Sequence, residues 1–409
     1  AIGPADYAKN YTGNAFDSLL GKVAAFAGSQ GLAGKDVLVS GHSLGGLAVN
    51  SLADLSGDHW SGFYRDASYI AFASPTQSTV TSNVLNIGYE NDPVFRALNG
   101  SDFSLSSLGV HDANQASATN NIVSFNDHYA SVAWNLMPFS IANVSTWVTH
   151  LPSGYESGMN RILDSAFYDL THKDSTIVVA NLSNPARENN WVQDLNRNAE
   201  KHTGTTLIIG SEGNDLIQGG RGNDFLEGRD GNDSFRDSGG YNIILGGKGV
   251  NTLDLQQSLN RVDVVNDGQG TLYVRDNHGG ITLARDISLL VSDEPGWLGL
   301  SKAVSHRVAD DGLWAGNSRT DYTHSVNAGP GDSTLKAGDH GDWLLGQGGN
   351  DHLLGSAGND VFIGGAGDDL LESVGGSNTF VFSGHFGNDT LLGYQPADRL
   401  VFLGVEGGH

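Results

Sequence analysis

Two hydrophobic periodicities divide this chain. Over roughly its first 200 residues, apolar positions alternate between helical and strand-like spacing. Phe16, Leu19, Leu20, Val23 and Phe26 recur on one face of a predicted helix. Lys35-Asp36-Val37-Leu38-Val39-Ser40 carries the β-branched, apolar content of a buried strand, and Leu44 to Leu55 returns to helical spacing. Ser68 to Phe72 and Asn83 to Tyr89 read as strands, and Met159 to Phe167 as another short helix. Strands and helices in alternation predict an α/β layer.

From Thr205 onward the texture changes. Asp215, Asp224 and Asp233 follow each other at nine-residue intervals, and Asn242 and Asn251 keep the same register. A second array has Asp342, Asp351, Asp360 and Asp369, then Asn378. Units such as Gly-Gly-Arg-Gly-Asn-Asp-Phe-Leu-Glu (219–227) and Gly-Gly-Ala-Gly-Asp-Asp-Leu-Leu-Glu (364–372) match the glycine-rich calcium-binding nonapeptide. Each unit supplies a turn and a short strand whose large apolar residue (Ile217, Leu226, Phe235, Leu344, Leu353, Phe362, Leu371) points into a thin core. Successive turns alternate sides, so residues two repeats apart stack in one column. Asp215 and Asp233, or Asp342 and Asp360, are then expected to face one ion. Carboxylate and carbonyl oxygens suit a hard cation with six to eight ligands, which points to Ca²⁺, with several ions per chain. Without the ion, stacked carboxylates repel across a core too thin to compensate, so folding of the arrays is expected to require it. Thr252 to Ser325 separates the arrays, with strands expected at Val262 to Val265 and Thr271 to Val274 and a turn at Asp276-Asn277-His278-Gly279.

The expected domains are therefore 1–200 (α/β), 201–255 (first roll), 256–325 (β-rich spacer) and 326–409 (second roll with C-terminal strands). Charge narrows the partners. The 22 Lys and Arg against 46 Asp and Glu give a formal charge of −24, which argues against nucleic acid and anionic membrane surfaces and suits a cation binder. With no cysteine, neither a disulfide framework nor a thiolate metal site is available. No apolar run is long enough to span a membrane, and Ala1-Ile2-Gly3-Pro4 has neither a basic nor an apolar leader pattern.

The candidate chemistry lies at Gly41-His42-Ser43-Leu44-Gly45, between the predicted strand and the predicted helix. In that context Gly-x-Ser-x-Gly makes a turn so tight that the serine is strained, with its hydroxyl above the sheet edge. The helix that follows aims its first amides at the place where an oxyanion forms. Ser43 is the candidate nucleophile, and it needs an acid and then a histidine downstream. Glu90-Asn91-Asp92-Pro93 is the turn after a strand, on the same sheet edge; Asp92 is favoured because Asp-Pro holds an extended turn conformation. For the base, His150 follows the strand-like run Val144 to Thr149, whereas His128 has Asp127 beside it. The pattern favours His150 and leaves His128 open.

With these pieces in place the chain resembles the bacterial family I.3 lipases, RTX-repeat lipases exported by a type I system, which include enzymes described as polyurethanases. The resemblance rests on Gly-His-Ser-Leu-Gly-Gly, Gly-Tyr-Glu-Asn-Asp-Pro-Val-Phe (88–95), Asn-Ile-Val-Ser-Phe-Asn-Asp-His-Tyr (121–129), Ser-Thr-Trp-Val-Thr-His-Leu-Pro (145–152) and both arrays. It implies a partial α/β-hydrolase domain followed by a parallel β-roll. It implies Ser43 as nucleophile, Asp92 as orienter, His150 as base and the Leu44 amide as an oxyanion donor. It also implies a calcium site in the catalytic domain, where Glu90, Asp112, Asn120 and Asn121 stand at the matching places. The implied activity is calcium-dependent hydrolysis of long-chain triacylglycerol at an oil–water interface, by a secreted enzyme expected to be a monomer. A polyester or short-ester hydrolase, or a non-catalytic calcium-binding fragment, are the alternatives. The family's N-terminal strands, lid, second oxyanion donor and C-terminal export tail have no counterpart in the sequence, so a truncated portion of a longer enzyme is expected.

Overall fold

The computed structural model describes residues 4–98, 112–119, 121–131, 143–197, 201–296 and 300–405. The chain divides into two compact units: 1–164 with 176–186 and 195–203, and 165–175 with 187–194 and 204–409.

In the first unit, helix α1 (Pro4–Ser29) precedes strand β1 (Leu38–His42), helix α2 (Leu44–Leu55), strand β2 (Ser68–Phe72) and strand β3 (Val84–Ile87). These strands form a parallel sheet in the order β1-β2-β3, with Gly41 beside Ala71 and Ala71 beside Asn86. Strand β4 (Ile122–Phe125) and strand β5 (Thr176–Ala180) pair in parallel, and between them lie helices α3 (Asp127–Ala130) and α4 (Pro152–Leu163). The core gathers Val49, Leu52 and Ala53 of α2 with Tyr64, Tyr69, Ala71 and Val84. Each large side chain fully buried there contributes about 1.5–3 kcal/mol.

Several expectations shift against this structure. The strand predicted over Lys35 to Ser40 starts at Leu38, because Gly34–Asp36 is a 3-10 turn in which the Asp36 carboxylate accepts the Ala33 amide at 2.9 Å. The predicted helix Met159 to Phe167 overlaps α4 only over 159–163: α4 begins earlier, at Pro152, where a missing amide costs nothing, and ends at Leu163. The Val144 to Thr149 run is not a strand. It is a 3-10 helix (Val144–His150) in which the Asn143 carbonyl accepts from both the amide and the hydroxyl of Thr146. Tertiary bonds override its β-branched composition: the Asn126 amide holds Thr149 at 2.8 Å, one residue from His150. In α1 the apolar stripe is largely exposed (Phe26 68%), and the buried positions are the small residues Ala8, Thr12 and Ala27. Only Leu20 of that stripe packs against the core of this unit.

The second unit alternates strands between two sheets, as a nine-residue repeat with turns on opposite sides requires. Strand β6 (Trp191–Val192), β8 (Leu216–Gln218), β10 (Ser234–Arg236) and β12 (Thr252–Asp254) lie in one sheet. Strands β7 (Thr206–Ile209), β9 (Asp224–Glu227) and β11 (Tyr241–Leu245) lie in the other. Neighbours in each sheet are parallel and two repeats apart: Ile217 beside Phe235 beside Leu253, and Ile208 beside Leu226 beside Ile244. The second array repeats this with Leu344 beside Phe362 beside Phe380, and Leu353 beside Leu371. All seven predicted core residues are 0% exposed.

The segment between the arrays extends both sheets of the first roll. Strands β13 (Asp263–Asn266), β14 (Thr271–Arg275) and β15 (Ile281–Arg285) form an antiparallel meander whose last strand pairs in parallel with β11. Strand β16 (Leu289–Pro295) continues from β12 in parallel and turns antiparallel into β17 (Ser301–Ala309). The turn at Asp276 is present, its carboxylate accepting the His278 and Gly280 amides at 2.7 and 2.9 Å. Val265, Tyr273, Ile281 and Leu283 share a core with Trp343, Leu345, Val361 and Ile363, so the segment ties the two rolls together. Among the described residues, no helix is long and apolar enough to cross a membrane.

Candidate functional site

Ser43 sits between β1 and α2 at φ 57°, ψ −118°, a conformation that L residues avoid. The flanking glycines make it possible. A Cβ on Gly41 would lie 2.5 Å from the Gly45 backbone, and one on Gly46 would lie 3.0 Å from the Phe72 carbonyl oxygen. The Ser43 amide donates to that same Phe72 oxygen at 2.9 Å, which pins the turn to β2. Leu44, the first residue of α2, has no carbonyl four residues back within the helix, so its amide is available to an incoming oxyanion.

The side chains predicted to act together are adjacent. His150 Nε2 lies 2.8 Å from Ser43 Oγ, and His150 Nδ1 lies 2.9 and 3.1 Å from the two Asp92 oxygens. Asp92 is 0% exposed and accepts the Val94 and Phe95 amides at 2.8 and 3.3 Å. His128 takes no such place: it lies in α3, and Asp127 beside it binds the Ser183 amide and hydroxyl instead.

Sequence reasoning missed Tyr155. Its hydroxyl donates to Asp92 Oδ2 at 2.7 Å and accepts the Tyr89 amide at 3.0 Å. Burial, reinforced by the Asp92 carboxylate, pushes the phenol well above its ordinary value, which keeps the proton on oxygen. A tyrosine on a helix directly after its first glycine has no motif of its own, so only the folded geometry reveals it. His42 packs 5.0 Å from the His150 ring, and burial, then His150, lowers its pKa.

The residues expected to hold calcium in this unit are placed in part. Glu90 is buried, its Oε2 3.2 Å from His202 Nε2 and its Oε1 without a hydrogen-bond partner among the described residues. Asn121 adopts φ 64°, and its carbonyl accepts the Ile177 amide. Asp112 is half-buried, and Asn120 lies outside the described residues. Among the described residues, no group of three or more His, Asp or Glu is gathered as a metal centre.

The repeat aspartates line up two repeats apart. Asp233 Oδ1 accepts the Asp215 amide, Asp360 the Asp342 amide and Asp369 the Asp351 amide, each at 2.8 Å. A second ladder runs in the opposite sense through the preceding residue: Asn214 accepts the Asn232 amide at 2.8 Å, and Asn350 the Asp368 amide at 2.9 Å. The nine-residue period does not reach Asp389 and Asp398, which continue the columns by accepting the Asp369 and Asn378 amides at 2.9 and 2.8 Å. Their spacing is 20 instead of 18, which hides them from a strict repeat, although Gly387-Asn388-Asp389 keeps the local pattern.

The second oxygens test the fit to a cation. Oδ2 of Asp233, Asp351, Asp369 and Asp389 is buried with no hydrogen-bond donor among the described residues. Burial drives these carboxyls up: Asp233 to about 8, Asp224 to about 7, Asp351 and Asp389 to about 6. A buried oxygen without a donor, on a carboxylate whose charge is penalised, is what a hard cation would relieve. The Asp215 carboxylate instead has the Arg187 guanidinium 3.4 Å away.

Comparison with known proteins agrees with this division. The model of the RTX calcium-binding nonapeptide repeat matches residues 203–235, 227–256, 325–353, 336–371 and 345–380. The crystal structure of extracellular lipase LipA from Serratia marcescens is 59% identical, with a TM-score of 0.94 over 100% of this chain and 66% of that one. The chain belongs to the family I.3 RTX lipases. Two lipases of Pseudomonas fluorescens are 69% identical over 212 residues (52% of this chain, 44% of theirs) and 65% identical over 211 (51% and 47%). The chain thus spans less than half the length of these curated relatives. Its fold is an α/β domain with a parallel β-roll, and its repeats are calcium-binding RTX repeats.

Proposed function

We propose that this chain carries the catalytic machinery of a secreted, calcium-dependent serine ester hydrolase acting on long-chain triacylglycerol. The observation that carries the reading is the 2.8 Å contact between Ser43 Oγ, held at φ 57°, and His150 Nε2. His150 takes the serine proton as Oγ attacks the ester carbonyl, and Asp92 holds the Nδ1 proton and steadies the imidazolium. The oxyanion forms at the Leu44 amide. Collapse of the intermediate expels the alcohol, which takes its proton from His150 and leaves the acyl group on Ser43. Water, deprotonated by His150, then releases the fatty acid.

Exposed apolar side chains next to the pair in sequence support an apolar acyl chain. Leu44 is 74% exposed, and Val144, Val148 and Leu151 are also exposed. Calcium, when bound, neutralises the stacked carboxylates of the repeats; Asp215, Asp224, Asp233, Asp342, Asp351, Asp360 and Asp369 would hold it, joined by Asp389. The domain limits given above, export by a type I system and a calcium site around Glu90 belong to the same proposal.

The test is hydrolysis of emulsified triolein and of p-nitrophenyl butyrate by the chain and by Ser43→Ala, each with calcium and with chelator. Loss of about 10⁴–10⁶-fold on removing the hydroxyl is expected. Equal rates for the two proteins, or equal labelling by a fluorophosphonate, would end the reading. Activity on butyrate with none on triolein would move the substrate to short esters.

A further inference from the structure

The calcium columns of the first array end at Asn242 and Asn251, and Asn378 holds the same kind of position inside a column of the second array that runs on to Asp398. At Asn242, Asn251 and Asn378 the side-chain oxygen does what it does at Asp233, Asp360 and Asp369, accepting the backbone amide two repeats earlier at 2.8, 3.0 and 2.8 Å. The other side-chain atom behaves differently. Asn251 Nδ2 donates to the Gly247 and Asp286 carbonyls, both at 3.1 Å. Asn242 Nδ2 donates to Asp237 Oδ1 at 2.7 Å and to the Gly239 carbonyl at 3.1 Å. Asn378 Nδ2 donates to Ser373 Oγ at 2.7 Å and to the Gly375 carbonyl at 2.9 Å. In each case an oxygen of the glycine-rich turn three or four residues back is satisfied by an amide hydrogen. At Asp233, Asp351 and Asp369 the corresponding Oδ2 has no donor, and at Asp215, Asp224, Asp342 and Asp360 it accepts the backbone amide four residues back; no aspartate donates to a turn carbonyl as the asparagines do.

We infer that Asn242 and Asn251 are built-in terminators of the first array's calcium columns and that Asn378 is a metal-free step within its own, each closing its turn with an amide nitrogen in the place where an aspartate turn takes an ion. An amide is isosteric with a carboxylate, so the ladder bond through Oδ1 survives. Its N–H₂ brings hydrogens to carbonyl oxygens that at an aspartate turn face a cation. These steps therefore hold their shape without calcium, and Asn242 and Asn251 stop the first array at a neutral residue instead of an unpaired buried carboxylate. The inference rests on the calcium reading of the repeats and assigns which turns stay free of metal.

The test counts bound calcium per chain by equilibrium dialysis with atomic absorption, and follows thermal melting by circular dichroism in calcium and in chelator. Asn251→Asp and Asn378→Asp are each expected to bind one ion more than the parent. Each should melt at lower temperature than the parent in chelator, with calcium restoring the difference. The reverse change, Asp233→Asn, is expected to bind at least one ion fewer and to melt in chelator no lower than the parent. It decides the matter if the aspartate variants do not fold. Unchanged ion counts in variants of a calcium-binding parent overturn the terminator assignment alone. A parent that binds no calcium overturns it together with the calcium reading.

Discussion

Replacing Tyr155 by phenylalanine isolates one hydrogen bond at the acid of the site. The ring contacts, 4.7 Å to Tyr89 and 5.5 Å to His42 between centroids, are kept, and only the hydroxyl is lost. Two bonds go with it: the donation to Asp92 Oδ2 at 2.7 Å and the acceptance from the Tyr89 amide at 3.0 Å. A hydrogen bond to a charged group is worth about 1.5–3 kcal/mol. Asp92 keeps the Val94 and Phe95 amides, so its carboxylate stays in place but binds His150 with less restraint. If the whole of that energy serves transition-state positioning, the rate falls roughly 10- to 100-fold, at 1.36 kcal/mol per decade. The unpaired Tyr89 amide costs stability separately, about 1–3 kcal/mol. The assay is the second-order rate of Ser43 phosphonylation by a fluorophosphonate, with kcat and KM on a p-nitrophenyl ester and a melting curve for each protein. A slower reaction at unchanged KM is expected. A melting temperature several degrees lower with phosphonylation within twofold of the parent would refute the positioning role and leave Tyr155 structural.

Three further outcomes follow from the geometry. Gly249→Ala places a Cβ 1.8 Å from the Gly231 carbonyl oxygen at φ 116°, and should destabilise the first roll by roughly 2–4 kcal/mol, whereas Gly222→Ala meets nothing within 4 Å; equal melting of the two variants in calcium would contradict this. His306 is buried against Ser292 Oγ, and burial lowers its pKa from the ordinary 6.5, with Glu294 partly opposing. The unfolded chain then takes up the proton first as pH falls, so stability is full above about 6.5 and declines below it; the decline in melting temperature between pH 7.5 and 5.5 should be shallower in His306→Asn. An equal slope in both proteins would rule that out. Chelation should remove most β signal of the repeats, and retention of the full circular dichroism spectrum in chelator would show that the carboxylate columns fold without metal.

Where local chemistry repeats, it was legible in the sequence. The nine-residue period determined which residues fill the roll, because Ile217, Phe235, Leu353 and Phe362 must point inward whenever their glycine turns form. The elbow at Ser43 was equally readable, since glycine at 41 is what lets the backbone of residue 45 approach so closely. Four features were decided by tertiary structure. The run at 144–149 has strand composition but closes as a 3-10 helix, because Thr149 and His150 have partners far away in sequence. The apolar stripe of α1 has the expected helical spacing but is largely exposed, and the positions that pack are the small residues Ala8, Thr12 and Ala27. Tyr155 reaches Asp92 from 63 residues away, a pairing that no local pattern encodes. Asp389 and Asp398 joined their columns despite a two-residue insertion, because parallel pairing matches strands in space and lets the turn between them absorb the extra length. Periodicity and turn chemistry are local and so can be read along the chain; bonds between distant segments exist only once the chain has folded.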